Sequence, residues 1–132
     1  MNPIVVERTV IHDHGKPTER KARMHYYWCP GCDALHGIAI RPDVNGRGAG
    51  WTFSGSLECP TYEPSQLTTW DGLENGVETR KTCHTFIRQG RIEFLGDCTH
   101  AMRNQTVALP PLPDWVADWI AADAARPWPP QI

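Results

Sequence analysis

The chain has 132 residues, of which 40% are hydrophobic and 21% charged, and its formal net charge is −2. This length fits a single domain, expected over residues 1–132, that buries roughly two thirds of the surface of the unfolded chain. The near-neutral charge without a Lys/Arg stripe argues against a nucleic-acid partner. No apolar run approaches the ~20 residues of a membrane span and no signal peptide is evident, so we expect no membrane association and a cytoplasmic location.

Short strands are expected through the first half of the chain. Its β-branched and aromatic residues occur in brief runs that end at turn residues, and the twelve prolines disfavour long helices. The predicted strands cover residues 4–11, 23–28, 35–40 and 51–53. The proline-bounded segment 58–64 is expected to be irregular, and the polar segment 70–79 is expected to be a surface excursion.

The clearest local pattern is a β-hairpin in the second half of the chain. Strands are predicted over residues 82–88 and 91–95, with Gln89-Gly90 as the two-residue turn between them. Because side chains alternate along a strand, this hairpin has one apolar face and one polar face.

A short helix is expected near the C-terminus. Asp114 is a good N-cap, and the apolar residues after it recur at helical spacing, which predicts a helix over about 114–126. A single helical turn is expected within 97–104. The core of the domain is expected to span residues 23–113.

The five cysteines are the strongest chemical signal in the chain. In a reducing cytosol they are more often metal ligands or free thiols than disulfides. Cys29 and Cys32 flank Pro30-Gly31 between two predicted strands, which is typical of a zinc knuckle, because the turn lets both sulfurs converge on one metal. A tetrahedral site needs two further ligands.

The predicted hairpin offers those ligands. Cys83 and Cys98 are expected at its open end, on the apolar face, where they would complete a four-cysteine site for one structural zinc ion. His36 or His100 could replace either of them, and the alternative is that all these thiols are buried and free. Cys59 is the odd cysteine, with a spare thiol. The expected fold class is therefore mostly β (α+β), with zinc-ribbon-like antiparallel hairpins around one zinc and a short C-terminal helix.

The polar face of the hairpin suggests a second site. His84 and Asp97 are expected to be diagonal neighbours there, within reach of a hydrogen bond that would fix the imidazole tautomer. A surface His–Asp pair is also common without any function. A catalytic pair needs a nucleophile, for which Ser54, Ser56 and Ser65 are the serine candidates, and sequence spacing does not choose among them.

A series of motifs runs in a specific order over about residues 25 to 113. The motifs are Cys29-Pro30-Gly31-Cys32, Trp51-x-Phe53-x-Gly55, Pro60-Thr61-x-x-Pro64-Ser65, Cys83-His84-x-Phe86-x-x-x-Gly90-x-Ile92-x-Phe94-x-x-Asp97-Cys98-x-His100 and Gln105-Thr106-Val107. This set resembles a family of small phage and prophage proteins of unknown function, many of which carry the label "ammonia monooxygenase", which we regard as spurious. The sequence departs from that family at Cys59 and Gln66, outside the expected zinc site.

The pattern is more distantly similar to peptidase-like domains encoded in bacterial operons for ubiquitin-like conjugation. That resemblance implies that Ser65 is a nucleophile and that His84 is its base, whereas Asp97 as the orienting acid follows from the hairpin geometry. The expected function is hydrolysis of a peptide or ester bond at the C-terminal tail of a small protein such as a ubiquitin-like modifier. The expected partner is then a protein substrate in a bacterial cell.

Two other functions remain open at this point. The chain could be a non-catalytic phage module that binds a host defence or regulatory protein, in which case an exposed apolar patch is expected. It could also be a zinc-dependent metallohydrolase whose metal is bound by His84, Asp97 and His100. A cleft beside His84 would favour a catalytic role.

Overall fold

The computed structural model describes residues 2–124, which form eight β-strands and one α-helix. Short runs of β-branched and aromatic residues form most of the strands, as their propensity predicts. In chain order the elements are β1 (Val5–His12), β2 (Arg20–Cys29), β3 (Ala34–Ala39), β4 (Thr52–Gly55), β5 (Pro60–Glu74), β6 (Val77–Arg88), β7 (Arg91–Phe94), β8 (Thr106–Ala108) and α1 (Asp114–Ala124).

The strands form two antiparallel sheets with a shared core. The first sheet has the order β1-β2-β3, and the second has the order β4-β5-β6-β7-β8. Tyr27 and Ile38 from the first sheet belong to the same buried cluster as Ile87 and Ile92 from the second. The prediction of a mostly β fold with a short helix is confirmed.

The helix packs on the outer face of the first sheet. Period-two alternation along β2 directs Tyr27 into the core and leaves Tyr26 and Trp28 on the opposite face. There the ring of Trp119 lies 5.8 Å from Tyr26 and the ring of Trp115 lies 6.2 Å from Trp28, both edge to face. These aromatic pairs attach α1 to the sheet.

The helix begins at Asp114, as predicted. Residues 125 and 126, the predicted end of the helix, lie outside the described residues. In the segment 97–104, for which the sequence predicts a single helical turn, residues 101–104 form a turn that does not extend into a longer helix. Among the described residues, no helix is both long enough and apolar enough to cross a membrane.

The largest error of the sequence prediction concerns β5. The segment predicted as irregular (58–64) is strand from Pro60 onward. The segment 70–79 lies at the surface, as predicted, but it is the regular far end of the β5–β6 hairpin, in which Glu74 pairs with Val77. Its turn is Asn75-Gly76, with φ of 53° and 79°. A type I′ turn needs positive φ at both positions, and Asn-Gly tolerates this conformation. The Asn-Gly pair was therefore a strong hairpin signal, which the polar composition of the segment obscured.

The hairpin of β6 and β7 has the predicted register. Arg88 pairs with Arg91 and Thr85 pairs with Phe94, on either side of the Gln89-Gly90 turn. Both turn residues have positive φ, 50° and 73°. The two faces are separated as predicted, because Cys83 is buried in the core and the side chain of its neighbour His84 is partly exposed.

Candidate functional site

Ser65 lies in an irregularity of β5. Tyr62 pairs with Ile87 and Gln66 pairs with Thr85, so residues 63–65 of β5 lie opposite a single residue of β6. Such a bulge bends the strand and redirects side chains. The indole Nε1 of Trp51 donates to the Ser65 carbonyl oxygen at 3.3 Å and holds this bulge from the side of β4.

Ser65, His84 and Asp97 form a continuous chain of hydrogen bonds. The distance from Ser65 Oγ to His84 Nε2 is 2.9 Å, and His84 Nδ1 lies 3.0 Å from Oδ2 and 3.2 Å from Oδ1 of Asp97. The side chain of His84 is 25% exposed and that of Asp97 is 55% exposed. These three hydrogen-bonded side chains are therefore accessible to solvent and to a ligand.

The carboxylate determines the tautomer of His84. A carboxylate only accepts hydrogen bonds, so Nδ1–H donates to Asp97, and Nε2 of the neutral ring is left to accept the Ser65 hydroxyl proton. The backbone of His84 is also fixed, because Leu95 N–H donates to its carbonyl oxygen at 2.9 Å. This is the arrangement in which imidazole can act as a base toward a serine.

The other serine candidates lie elsewhere. Ser54 is exposed on β4, and the hydroxyl oxygen of Ser56 accepts the Cys59 backbone N–H at 3.1 Å in the following loop. Of the three candidates, Ser65 is the one hydrogen-bonded to His84.

A second group of potential ligands lies on the opposite face of β6. Atoms of Cys29, Cys32, Cys83 and His100 that can bind a metal all lie within 4.8 Å of one another. The sulfurs of Cys29 and Cys83 are 3.8 Å apart, although they are far apart in sequence. This group, called here the thiol cluster, can hold a metal ion.

The three thiols interact strongly when no metal neutralises them. Hydrogen bonds from Cys32 and Cys83 lower the pKa of Cys29, whereas the contact with Cys29 raises the pKa of Cys32 and that of Cys83. One thiolate is thus shared by two protonated thiols, because three adjacent negative charges would repel each other. A bound dication would remove that repulsion and favour deprotonation of all three.

His100 is oriented for a role in this cluster. Its Nε2 is buried without a hydrogen-bond partner among the described residues, whereas its Nδ1 lies 3.2 Å from the Met102 backbone nitrogen. A Cβ atom on Gly31 would lie 2.3 Å from the ring, so the knuckle needs glycine for His100 to approach. A metal ion beside the thiols would satisfy the orphaned nitrogen.

The cluster differs at one position from the four cysteines predicted from the sequence. Its fourth member is His100, one of the two alternatives, and not Cys98, whose buried sulfur accepts the His84 backbone N–H at 3.3 Å. The other alternative, His36, lies near the cluster with its Nδ1 3.3 Å from the Tyr27 hydroxyl. Cys59 is exposed and is not a member of the cluster, which agrees with the spare thiol expected from the sequence.

The metallohydrolase alternative needed His84, Asp97 and His100 around one metal. The structure separates them, because His100 lies in the thiol cluster on the other face of β6. Within residues 2–124, the thiol cluster is the one group of three or more such side chains close enough to bind a common ion.

The sequence did not reveal a third arrangement, around His25. This histidine is buried, its Nε2 lies 2.8 Å from Glu7 Oε1, and its Nδ1 lies 2.6 Å from the Tyr62 hydroxyl. The sequence predicts only a packed histidine on β2, because the partners of its ring come from β1 and β5. No local signal connects these three positions.

A comparison with known families gives the context of both sites. A model of the family described as "Bacterial ubiquitination-like system serine protease (BubE)" matches residues 5–95, about two thirds of the chain. The chain therefore belongs to the BubE family. No curated protein and no solved structure matches it. The match includes Ser65, His84 and three members of the thiol cluster, and it ends before Asp97 and His100.

Proposed function

We propose that the protein is a serine peptidase in which Ser65 is the nucleophile, His84 the general base and Asp97 the orienting acid. The observation that carries the proposal is the chain of hydrogen bonds from Ser65 Oγ through His84 to Asp97, at 2.9 and 3.0 Å. The printed description of the BubE family as a serine protease supports it.

The geometry suits a two-step acyl transfer. Ser65 Oγ attacks the carbonyl carbon of the scissile bond while His84 Nε2 takes the hydroxyl proton. The imidazolium, stabilised by Asp97, then gives that proton to the leaving nitrogen or oxygen, and an acyl-enzyme remains on Ser65. Water hydrolyses the acyl-enzyme with His84 acting as base again.

The substrate class follows from the family's context. A protease of a bacterial ubiquitination-like system acts on proteins, and we propose the C-terminal tail of a small ubiquitin-like modifier as the substrate. The reaction would take place in the bacterial cytoplasm, where thiols stay reduced and available to metals.

The thiol cluster is proposed to bind one structural zinc ion. A tetrahedral zinc with bonds of ~2.3 Å separates two sulfurs by about 3.8 Å, which matches Cys29 and Cys83. Three thiolates and one imidazole form a closed site without an open position for substrate. In a zinc-ribbon-like arrangement, the ion would join the β2–β3 hairpin to β6, one residue from His84.

Labelling with a fluorophosphonate probe tests the proposed nucleophile. Wild-type protein is expected to form one covalent adduct, and Ser65→Ala and His84→Ala are expected to form none. Ser54→Ala is the matched control, since it removes an exposed serine on the neighbouring strand and should leave labelling unchanged. Labelling of Ser65→Ala at the wild-type rate would refute the assignment.

The exposed apolar residues favour a second candidate function, a non-catalytic module that binds a host defence or regulatory protein. Leu73 is 75% exposed and Val77 is 64% exposed at the far end of the β5–β6 hairpin. Such side chains can dock a partner. A non-catalytic module should not react with the fluorophosphonate probe, and Leu73→Ser with Val77→Ser should abolish its partner binding. The peptidase proposal instead expects labelling and hydrolysis, both of which should persist in this double variant.

A further inference from the structure

One edge of β5 beside Ser65 has no neighbouring strand. On this side β4 pairs with β5 only from Pro60 to Glu63. β5 continues to Glu74, and on its other side β6 pairs with it along that length. No other strand among the described residues borders the rest of this edge. We call the part from Leu67 to Asp71 the open edge.

The direction of the backbone groups at the open edge follows from His84. The His84 carbonyl accepts the Leu95 N–H, and the His84 N–H donates to Cys98, so both backbone groups point away from β5. Leu67, directly opposite His84, is therefore in a pair without hydrogen bonds, and its own N–H and C=O point outward from the sheet. Because backbone direction alternates along a strand, the N–H and C=O groups of Thr69 and Asp71 also point outward from the sheet.

The side chains show the same alternation. Residues whose backbone groups point to the open edge carry side chains on the face of Ser65 and His84. Leu67 is one of them and is 58% exposed, directly across from His84. An exposed apolar side chain on an unpaired edge is a feature that proteins normally avoid, because it invites another strand to pair.

A groove of about 370 Å³ runs along this edge. Its far wall comes from Gly37 and from the loop that precedes β4, including Asn45, Arg47 and Trp51. Arg47 is exposed, it has no ion-pair partner among the described residues, and no acidic residue lines the groove. The groove therefore favours a ligand that carries negative charge.

We propose that the open edge binds the substrate by β-strand addition, so that an extended peptide with an acidic side chain near Arg47 pairs with Leu67, Thr69 and Asp71. This inference rests on the proposed function, since it puts the peptide next to Ser65. Main-chain hydrogen bonds supply affinity in this mode, and side-chain contacts supply selectivity. Folded proteins without an extended segment are excluded as substrates, whereas an unfolded tail fits.

The first test measures docking without hydrolysis. An acetylated and amidated decapeptide library, randomised at every position, is selected on the Ser65→Ala protein. We expect selected peptides to contain an acidic residue and to slow hydrogen exchange of the Leu67 and Thr69 amides. The Gln66 and Thr68 amides, which face β6, should not change. Failure to select any peptide, or protection of a different sheet edge, would overturn the proposal.

The second test uses a matched pair of substitutions at Thr69 in the same Ser65→Ala background. Thr69→Pro removes the outward N–H while the hydrogen bonds to β6 remain, and Thr69→Ala removes the hydroxyl but keeps the N–H. Thr69→Pro should weaken peptide binding about tenfold or more relative to Thr69→Ala. Equal affinities would contradict strand addition.

A peptide-side test covers the case in which Thr69→Pro does not fold. Methylation of each backbone nitrogen of the selected peptide in turn should weaken binding at every second position, and a pattern without this period would count against the open edge. Arg47→Gln should weaken binding of the acidic peptide several-fold, but it should not weaken binding of the same peptide with Glu→Gln or Asp→Asn.

These outcomes separate the two proposals. Fluorophosphonate labelling of wild-type protein tests Ser65 without the groove. If labelling fails but peptides bind and N-methylation weakens them at every second position, the open edge is a peptide-binding site and the peptidase assignment is wrong. If labelling succeeds and docking fails, only the open edge is refuted.

Discussion

His84 and His25 have the same kinds of neighbours but very different surroundings. Each imidazole lies between a carboxylate and a hydroxyl, Asp97 and Ser65 for His84, and Glu7 and Tyr62 for His25. His84 is 25% exposed, whereas His25 is fully buried. A carboxylate–imidazole–hydroxyl chain therefore does not by itself define a catalytic site.

The two networks differ in the kind of hydroxyl beside the imidazole and in whether a ligand can reach that hydroxyl. Burial raises the pKa of Tyr62, so its hydroxyl is a poor source of a nucleophile, and the residue is buried with its ring stacked on that of Phe53. The His25 arrangement satisfies buried polar groups between the two sheets. The His84 arrangement faces solvent on the outer side of the second sheet, where a substrate can reach it.

The largest expected difference is between His84→Ala and His25→Ala. Hydrolysis of a small activated ester should fall about 10⁴-fold in His84→Ala with little change in stability, because the proposed general base is lost at a partly exposed position. His25→Ala should keep its activity while folded but lose roughly 2–4 kcal/mol of unfolding free energy, since Tyr62 and Glu7 lose a buried partner. Kinetics and urea unfolding measure the two effects, and equal kinetic losses would remove the contrast.

The two carboxylates give the next largest contrast. Asp97→Asn should lower turnover about 10²- to 10⁴-fold with a smaller change in KM, because the amide no longer holds the tautomer with Nε2 free. Glu7→Gln should leave turnover within about twofold, since it lies on the other network. A similar loss in both variants would indicate a general structural effect.

Metal binding tests whether the thiol cluster supports the His84 face. Elemental analysis should find one zinc per wild-type chain, and Cys83→Ala should lose it together with roughly 3–5 kcal/mol of unfolding free energy. Cys59→Ala is the control, because that thiol is exposed and is not part of the cluster. A stable, metal-free and active Cys83→Ala protein would show that the cluster is dispensable.

The smallest effect is the pH dependence of stability that His25 contributes. Burial lowers the pKa of His25, although Glu7 opposes the shift. In the unfolded chain His25 takes up a proton below pH ~6.5, whereas the folded chain resists it. This contribution to stability is fully present above pH ~6.5 and is lost as pH falls toward the folded pKa, by at most about 1.4 kcal/mol per pH unit. Urea unfolding between pH 7.5 and 5 should show a shallower slope in His25→Gln, and an unchanged slope would exclude His25 as its source.

Local sequence patterns were sufficient for several features of this protein. The Cys29–Cys32 knuckle and the Gln89-Gly90 turn are short-range signals, and alternation along β6 correctly separated Cys83 from His84 onto opposite faces. The same alternation put His84 within hydrogen-bond reach of Asp97, and the structure has that hydrogen bond. These features depend on backbone period and turn chemistry, which act over a few residues.

Other features depend on contacts between segments that are distant in sequence. The choice of His100 over Cys98 for the thiol cluster depends on how the segment after β7 packs against Gly31. The approach of Ser65 to His84 depends on a bulge in β5, and the partners of His25 come from two other strands. Spacing along the chain decides which face a side chain occupies, whereas the packing of the two sheets decides which side chain it meets there.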